Sequence, residues 1–156
     1  MKIEDGILIE ERELAEKLQR SGAYLLEQKL LLLYEALYFS EKGVLPLEKE
    51  KILKALKKRD KQAEIKYRVI KFLWDRGYIT RESLDSKEYF RIHRKGFRAG
   101  EDRTEDVMRV IKEGDKYDKK IMEKDLEIAG KFRKQFVLAV VGEDIQFIKI
   151  SRSRFD

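Results

Sequence analysis

The stretch QFVLAVV, from Gln135 to Val141, constrains the fold of this chain more than any other. It is a continuous apolar run, which is typical of a strand buried on both faces in the centre of a sheet. The turn Gly142-Glu143-Asp144 separates it from IQFIKI (145–150), so the two strands should form a hairpin. The segment from Tyr117 to Arg133 directly precedes them and carries apolar residues at helical spacing. The end of the chain is therefore predicted to be a sheet with a helix packed on it.

The segment before that helix is predicted to supply the other strands of the same sheet. Three stretches rich in β-branched and aromatic residues have the pattern of strands: Tyr78 to Thr80, Glu88 to His93, and Val107 to Ile111. A helix that starts near Ile65 precedes them and ends at Arg76-Gly77. Residues 63–156 are therefore predicted to form an α/β domain with a mixed sheet and packed helices.

Helical periodicity dominates the first part of the chain. A short strand or hairpin at residues 2–10 is followed by a short helix that ends at Ser21-Gly22 and by a longer one from Tyr24 to Lys42. Another helix should follow the only proline, and the polar stretch from Lys57 to Glu64 is the best candidate for a linker. We therefore predict a small helical domain with an edge strand at residues 1–62, and an α+β or α/β protein as a whole.

The distribution of charge narrows the kinds of partner that this chain can have. Of the net charge of +6, little lies in residues 1–62, which hold 13 Lys/Arg against 12 Asp/Glu, whereas residues 63–156 hold 23 against 18. A basic C-terminal part favours a polyanion such as nucleic acid, although a lysine-rich surface that binds nothing gives the same count.

Other features of the composition exclude whole classes of site. With no cysteine and one histidine, the chain lacks the ligands of an all-protein zinc site, and we expect no metal and no cofactor. The longest apolar run is far shorter than the roughly 20 residues of a membrane-spanning helix, and the N-terminus turns acidic at once, so we expect a cytoplasmic protein. Charged residues make up 42% of the chain, which favours a thermophilic source.

The stretch YFRIHRKGFRAGEDR, from Tyr89 to Arg103, contains the only histidine, His93. The cations around it are candidates for RNA binding, because guanidinium groups bind phosphate bidentately: Arg91, Arg94, Lys95, Arg98 and Arg103. A solvated basic loop is the alternative. His93 could be the centre of an RNA-cutting site or one more hydrogen-bonding residue on a phosphate-binding surface. Lys134, at the end of the last helix, could simply complement the helix C-terminus.

Four motifs, in order and with matching spacing, give the chain a resemblance to the archaeal tRNA-splicing (tRNA-intron) endonucleases. LLLLYEALYFSEKGVL is similar to the N-terminal-domain signature of that family, and YRVIKFLWDRGYIT is similar to its helix-to-strand segment. YFRIHRKGFRAGEDRTEDVMRV resembles the strand–loop–strand that carries a catalytic Tyr and His, and FRKQFVLAVV resembles the segment that carries a catalytic Lys. The resemblance implies a restriction-endonuclease-like domain and metal-independent cutting of precursor tRNA at bulge–helix–bulge intron boundaries. The products would carry a 2′,3′-cyclic phosphate and a 5′-hydroxyl.

The resemblance also implies which residues occupy the catalytic positions. His93 stands at the position of the catalytic Tyr, Arg103 at that of the catalytic His, and Lys134 at that of the catalytic Lys. In the family these side chains supply a base for the 2′-hydroxyl, an acid for the leaving 5′-oxygen and a cation for the phosphorane. A guanidinium stays protonated and cannot act as the acid. We therefore expect no catalytic residue in this chain, whose triad positions are degenerate.

Members that have lost the triad are known in this family as structural subunits of heterotetramers, which work with a homologous catalytic subunit. The resemblance therefore implies a structural subunit with that partner and precursor tRNA as the substrate. The final hairpin is where the family pairs its subunits, so the expected subunit interface consists of Glu143, Asp144, Phe147, Ile148 and Ile150. An open apolar edge strand also needs covering, which favours the same role.

Two alternatives remain open at this point. An active endonuclease could use a rearranged site made of His93 and Lys134. A winged-helix DNA-binding protein would explain the helix from Ile65 to Arg76 and the basic hairpin from Tyr78 to Lys95, but not the helix and two strands that close the chain.

Overall fold

The structure, a computed structural model, describes residues 5–83, 88–93 and 104–153, together with Ile3 and Phe155. These residues divide into two compact units between Tyr67 and Arg68, within one helix. The division into domains 1–62 and 63–156 remains a prediction, and each unit is described by itself.

The first unit contains a small antiparallel sheet. Its strands are β1 (Gly6–Leu8), β2 (Leu25–Leu26) and β3 (Leu30–Leu32), in the order β1-β3-β2. Gly6 lies opposite Leu32, and a Cβ atom at Gly6 would come within 2.7 Å of the Leu31 carbonyl oxygen. The close approach of β1 to β3 therefore requires glycine at this position.

The helix predicted from Tyr24 to Lys42 is wrong in its first half. Only α2 (Leu33–Glu41) is helical in the α sense, and a 3-10 turn (Glu27–Lys29) joins the strands β2 and β3. Lys29 adopts a left-handed φ of 59°, which turns the chain between them. A short run of leucines fits both the helical and the strand period, and here β3 forms hydrogen bonds with a strand on either side.

The other helices of the first unit agree with the prediction. They are α1 (Arg12–Arg20) and α3 (Lys49–Arg59), and Gly43 follows α2 with a φ of 75°. The predicted linker from Lys57 to Glu64 is largely helical, because α3 continues to Arg59 and α4 (Ala63–Asp75) begins only four residues later. Its lysines extend the exposed face of α3, and their polarity does not end the helix.

The second unit is built on a five-stranded sheet. Its strands are β4 (Thr80–Glu82), β5 (Phe90–His93), β6 (Thr104–Lys112), β7 (Gln135–Val141) and β8 (Ile145–Ile150), in chain order across the sheet. Neighbouring strands are antiparallel except β6 and β7, which are parallel and are connected through α5 (Lys119–Lys131). The last two strands have the predicted bounds. The first begins at Thr80, two residues later than predicted, and β6 is longer than predicted at both ends.

The helix α5 packs on one face of this sheet. Its Ala129 belongs to a buried cluster with residues from the strands and the approach to β5: Tyr89, Val107, Phe136 and Leu138. The mixed α and β architecture confirms the predicted fold class. None of the helices in the described part of the chain is long and apolar enough to cross a membrane.

Candidate functional site

Two of the three expected triad positions lie at the same end of the five-stranded sheet. His93 is the last residue of β5, and Lys134 directly precedes β7. The register aligns Ile92 with Asp106 and Asp106 with Gln135, so the ends of β5 and β7 are level. Two strand spacings, about 10 Å, separate their backbones. The third position, Arg103, lies outside the described residues.

His93 is held inside the protein. Only 7% of its surface is exposed, and its backbone N–H donates a hydrogen bond to the Ile79 carbonyl oxygen at 2.8 Å. The register between β5 and β6 shifts at this point, so that His93 lies opposite Thr104. A general acid or base must come within hydrogen-bonding distance of the group it serves, so the small exposed area limits what His93 can do to a bound RNA.

Lys134 is positioned by the way α5 ends. Its backbone N–H donates to the Ala129 carbonyl oxygen at 2.9 Å, and that of Arg133 donates to Gly130 at 3.0 Å. Arg133 has a left-handed φ of 54°. This is the pattern of a Schellman motif, with an arginine where glycine is the usual residue. The motif turns the chain from the helix into β7 and fixes the backbone of Lys134 at the sheet end.

The side chain of Lys134 lines a groove of about 360 Å³ in which all the charged lining residues are cations. Lys149, on β8, and Arg152, just after it, line the same groove. The Lys149 ammonium donates to the Gln135 side-chain oxygen at 2.7 Å. Three cations, with no carboxylate among the described residues of the lining, suit a phosphate group. We call this feature the cationic groove.

Lys149 and Arg152 were not among the predicted RNA-binding residues. The sequence contained only a weak signal for Lys149, a cation in the last strand, because IQFIKI has no strict alternation and the four residues from Gln146 to Lys149 are all exposed. Of the residues that were predicted, Arg91 lies on β5, whereas Arg94, Lys95, Arg98 and Arg103 lie outside the described residues.

Arg91 stacks on an aromatic ring. Its guanidinium carbon lies 5.2 Å from the centroid of Phe132, the residue that caps α5. Arg91 pairs with Arg81 on β4 and with Val107 on β6, so it stands on the sheet and not on the loop that follows. Its charge is partly exposed beside the ring.

A buried polar network, which the sequence analysis missed, ties α5 to the sheet. Asp125 has no exposed surface, and its carboxylate accepts hydrogen bonds from Tyr89 at 2.6 Å and Tyr117 at 2.8 Å. Arg109 donates to the same carboxylate through Nε and Nη2, at 2.9 and 2.8 Å. The signal was Arg109, which lies between two apolar residues on the core face of β6, where a cation needs a buried acid. We call these four residues the Asp125 cluster.

The electrostatics of the Asp125 cluster keep both tyrosines protonated. Burial, and then the hydrogen bond to Asp125, raises the pKa of Tyr89 and of Tyr117. Burial alone would lower the pKa of Arg109, but the Asp125 carboxylate outweighs it and raises that pKa. Tyr89 is 1% exposed and its hydroxyl is bonded to Asp125, so this hydroxyl is not available to a bound ligand.

The final hairpin exposes the residues predicted to form a subunit interface. Glu143 and Asp144 are exposed at the turn, Phe147 and Ile148 are 38% and 43% exposed, and Ile150 packs partly on the core. Strand β8 is an edge of the described sheet. The exposed pair gives this edge an apolar centre, as a protein interface requires.

Arg68 holds the backbone of the same turn from within the chain. Its guanidinium donates to the Gly142 carbonyl oxygen at 2.6 Å and also to the carbonyl oxygen of Glu143. The Phe72 ring lies 5.7 Å from that of Phe147. The turn is therefore braced by α4, and its two carboxylates remain exposed.

Among the described residues, no group of three or more His, Asp or Glu side chains is placed to hold a metal ion. At the described sheet end, Lys134 and Gln135 are thus accompanied by the buried imidazole of His93 and the half-buried carboxylate of Asp106.

Comparison with known proteins agrees with this geometry. Residues 63–147 match the family described as tRNA intron endonuclease, catalytic C-terminal domain. A tRNA-splicing endonuclease of Pyrococcus abyssi is 33% identical over 134 residues, which cover 80% of this chain and 76% of the relative. A protein of the same name from Pyrococcus furiosus is 34% identical over the same shares. A tRNA-splicing endonuclease of Nanoarchaeum equitans is 29% identical over 140 residues, which cover 81% of this chain and 91% of the relative. This chain therefore belongs to the tRNA intron endonuclease family.

Proposed function

We propose that this chain is a structural, non-catalytic subunit of a tRNA-splicing endonuclease. A homologous catalytic subunit would cut precursor tRNA at bulge–helix–bulge intron boundaries without metal, leaving a 2′,3′-cyclic phosphate and a 5′-hydroxyl. The observation that carries the proposal is the set of residues at the triad positions. Two of the three are altered, to His93 and Arg103, and only Lys134 is kept.

The chemistry of those residues supports the proposal. Arg103 can offer fixed charge, but it cannot give up a proton to the leaving oxygen at any accessible pH. His93 is 7% exposed in the described structure, which keeps its ring from most of the space that a ribose would need. Tyr89, the nearest tyrosine in the chain, has its hydroxyl bound to Asp125. Without a competent acid, a loss of about 10²–10⁴-fold in rate is expected.

The exposed edge of the second unit supports a homologous partner. An edge strand with Phe147 and Ile148 exposed can be covered by the matching strand of another subunit. Glu143 and Asp144, exposed beside it, offer negative charge to a basic surface. The arrangement fits a heterotetramer of two such chains and two catalytic chains, acting in the cytoplasm.

The cationic groove supports a role in holding the RNA. Lys134, Lys149 and Arg152 lie at the sheet end that the expected triad positions share, and none of the described residues that line their groove is a carboxylate that would compete with a phosphate. Arg91 adds a cation on β5. Binding that depends on such contacts should weaken steeply as salt is raised.

Cleavage of a bulge–helix–bulge RNA, without added metal, tests the proposal. The purified chain is assayed alone, and then mixed with a homologous catalytic chain from the same organism. We expect cleavage in the mixture only, and no change in its rate when this chain carries His93→Ala. Cleavage by this chain alone would contradict the proposal, as would a catalytic chain that works equally well without it.

A second function, an active endonuclease with a rearranged His93 and Lys134 site, is favoured by one observation. Both residues lie at the same sheet end, on strands two spacings apart. In that case the chain alone would cut the RNA, and either His93→Ala or Lys134→Ala would abolish cutting. The winged-helix alternative does not account for β6, α5, β7 and β8, which continue the sheet well beyond the first hairpin.

A further inference from the structure

A second cavity lies on the face of the sheet that α5 covers. Its volume is about 280 Å³. Its floor is formed by Tyr89, Val107 and Ile128, and its rim by Arg91, Lys131 and Phe132. Two of the rim residues are cations, and there is no carboxylate among the described residues that line it. The ligand that fits this lining has a flat apolar part and carries negative charge.

The rim combines an exposed aromatic ring with a planar cation. Phe132 is 37% exposed, and the Arg91 guanidinium lies 5.2 Å from its ring centroid. Both are attached to regular structure, Arg91 to β5 and Phe132 to the end of α5, so their relative position is fixed by the packing of helix on sheet. Aromatic rings and guanidinium planes are the surfaces on which proteins stack unpaired bases of RNA.

The position and size of the cavity point to the same ligand. Phe132 is two residues before Lys134, so the cavity opens beside the sheet end where the triad positions lie. Its volume of about 280 Å³ is just below the range of about 300–1,000 Å³ for small-molecule sites, so it suits one ring system at most. The bulges of the proposed substrate consist of unpaired nucleotides, whose bases are free to leave the helix.

We propose that this cavity binds the base of one bulge nucleotide, stacked on Phe132 and Arg91, with Lys131 contacting its phosphate. The inference rests on the function proposed above, because it takes the bulged precursor RNA as the ligand. It gives Arg91 a different role from the phosphate contact that the sequence predicted. The base is recognised by its flat surface, so the contact selects for an unpaired nucleotide and not for a particular base.

A variant that removes only the aromatic ring tests the stacking. Phe132→Leu keeps an apolar side chain at the helix cap, and binding is measured on the chain assembled with its catalytic partner. A stacked base is worth about 1–3 kcal/mol, so the variant should bind the bulged RNA about 5- to 150-fold more weakly. Phe155→Leu, which removes a ring that is 98% exposed, is the matched control and should leave the affinity unchanged.

Changing the RNA in parallel identifies the contact. Each bulge nucleotide in turn is replaced by an abasic one, and the affinities of wild type and Phe132→Leu are compared on every RNA. At the nucleotide whose base the cavity binds, the abasic change should weaken binding to wild type. The same change should cause no further loss of affinity in Phe132→Leu, which has already lost the stacking. If the two losses add at every position, the base does not stack on Phe132 and the inference is wrong.

Arg91→Lys separates stacking from charge. A lysine keeps the charge but has no planar group, so a stacked base should be bound more weakly while the salt dependence stays the same. Unchanged affinity would mean that Arg91 contacts only phosphate, which overturns the inference. Thermal unfolding of each variant shows whether it folds as the wild type does.

The outcomes also distinguish this inference from the proposed function. If adding this chain to the catalytic chain gives no gain in RNA affinity or cleavage, the proposed function fails. If the gain is present and Phe132→Leu preserves it on every RNA, the function stands and the cavity does not bind a base.

Discussion

The second unit contains two polar regions that use their charges in opposite ways. In the Asp125 cluster, the carboxylate has no exposed surface, and an arginine and two tyrosines saturate it. In the cationic groove, Lys134, Lys149 and Arg152 are the charged residues in the part of the lining that the structure describes, and the surface is open. The two regions are connected by α5, which carries Asp125 in its middle and leads directly into Lys134.

The difference separates charges that specify the fold from charges that remain for a ligand. A buried ion pair contributes to stability only when every hydrogen bond is satisfied, and the Asp125 cluster meets that condition inside the chain. The cations of the groove contribute little to the stability of the fold. The hydrogen bond described for them is the one from Lys149 to the Gln135 side-chain oxygen. Substitutions in the first region should therefore affect stability and those in the second should affect RNA binding.

The largest expected effect is on stability, from Asp125→Asn. The amide removes the buried counter-ion of Arg109 and leaves it, among the described residues, only the half-exposed Glu88, and breaking a buried pair in this way costs about 3–5 kcal/mol. Chemical denaturation should show a loss of this size in the free energy of unfolding. Glu88→Gln is the control, because Glu88 contacts the same Arg109 at 3.4 Å but is half exposed, and it should cost less than about 1 kcal/mol.

An Asp125→Asn loss as small as that of the control would mean that the Asp125 cluster does not specify the fold. The contrast between the two regions would then have no energetic basis. Below its own unfolding temperature, the variant should still bind RNA with the salt dependence of the wild type.

The second effect is on RNA binding, from replacing Lys134, Lys149 and Arg152 together by Gln. If each contacts a phosphate, the slope of log affinity against log salt should fall by about 2–3, and affinity at low salt should fall about tenfold or more. Titrations of the assembled complex at several salt concentrations measure both. The free energy of unfolding should change by less than about 0.5 kcal/mol, because these are surface changes.

A triple variant with the same change in net charge controls for long-range attraction. Lys116, Lys119 and Lys120 are exposed at the other end of α5 and are replaced by Gln. This variant should keep nearly the whole salt slope. Equal losses in the two triple variants would show that RNA responds to total charge and that the groove is not a site.

The third effect is a dependence of stability on alkaline pH. The pKa of Tyr117 is raised in the folded chain, mainly by burial, whereas in the unfolded chain it is near 10. The unfolded chain therefore loses this proton first, so stability is complete below about pH 10 and falls as pH rises above it. Tyr117→Phe should show a shallower fall than wild type in denaturation between about pH 9 and 11. Parallel curves would show that Tyr117 does not titrate differently on folding.

The smallest effect is a gain in stability at the junction of the two regions. Arg133 has a left-handed φ of 54°, a conformation that disfavours side chains by about 1–2 kcal/mol. Arg133→Gly relieves it but adds freedom to the unfolded chain, so we expect a net gain of about 0.5–1 kcal/mol by thermal unfolding. RNA affinity should stay as in wild type. A loss of affinity would place Arg133 among the RNA contacts and extend the cationic groove around the helix end.

The sequence predicted best the part of the fold in which neighbouring segments of the chain pair with each other, the final hairpin. Strands β7 and β8 have the predicted bounds, because a tight turn separates a continuous apolar run from a second apolar segment, which favours a hairpin. The leucines from Leu30 to Leu32 were predicted to be helical, because their spacing fits both periods, and the decisive factor was pairing with β1 and β2. Strand pairing joins segments that are distant in the sequence, so the local pattern of apolar residues does not reveal it.

The candidate site was predictable in part for the same reason. The expected triad positions came from the motif resemblance and remain a prediction, and the register places two of these residues, His93 and Lys134, at one sheet end. The Asp125 cluster joins residues from four separate positions of the chain, and only the packing of α5 on the sheet brings them together. The sequence indicated only the arginine of this cluster, Arg109, which lies between the apolar residues Val107 and Ile111 on one face of β6.

The brace that Arg68 forms with the Gly142 and Glu143 carbonyls has a consequence for the speed of assembly. A turn that already has its bound conformation loses little conformational entropy when a partner docks. A larger fraction of encounters with that partner is then productive. The exposed acids of the turn can then steer a basic partner from a distance. A chain built in this way should find the partner subunit proposed above quickly, even where the final contact area at the turn is small.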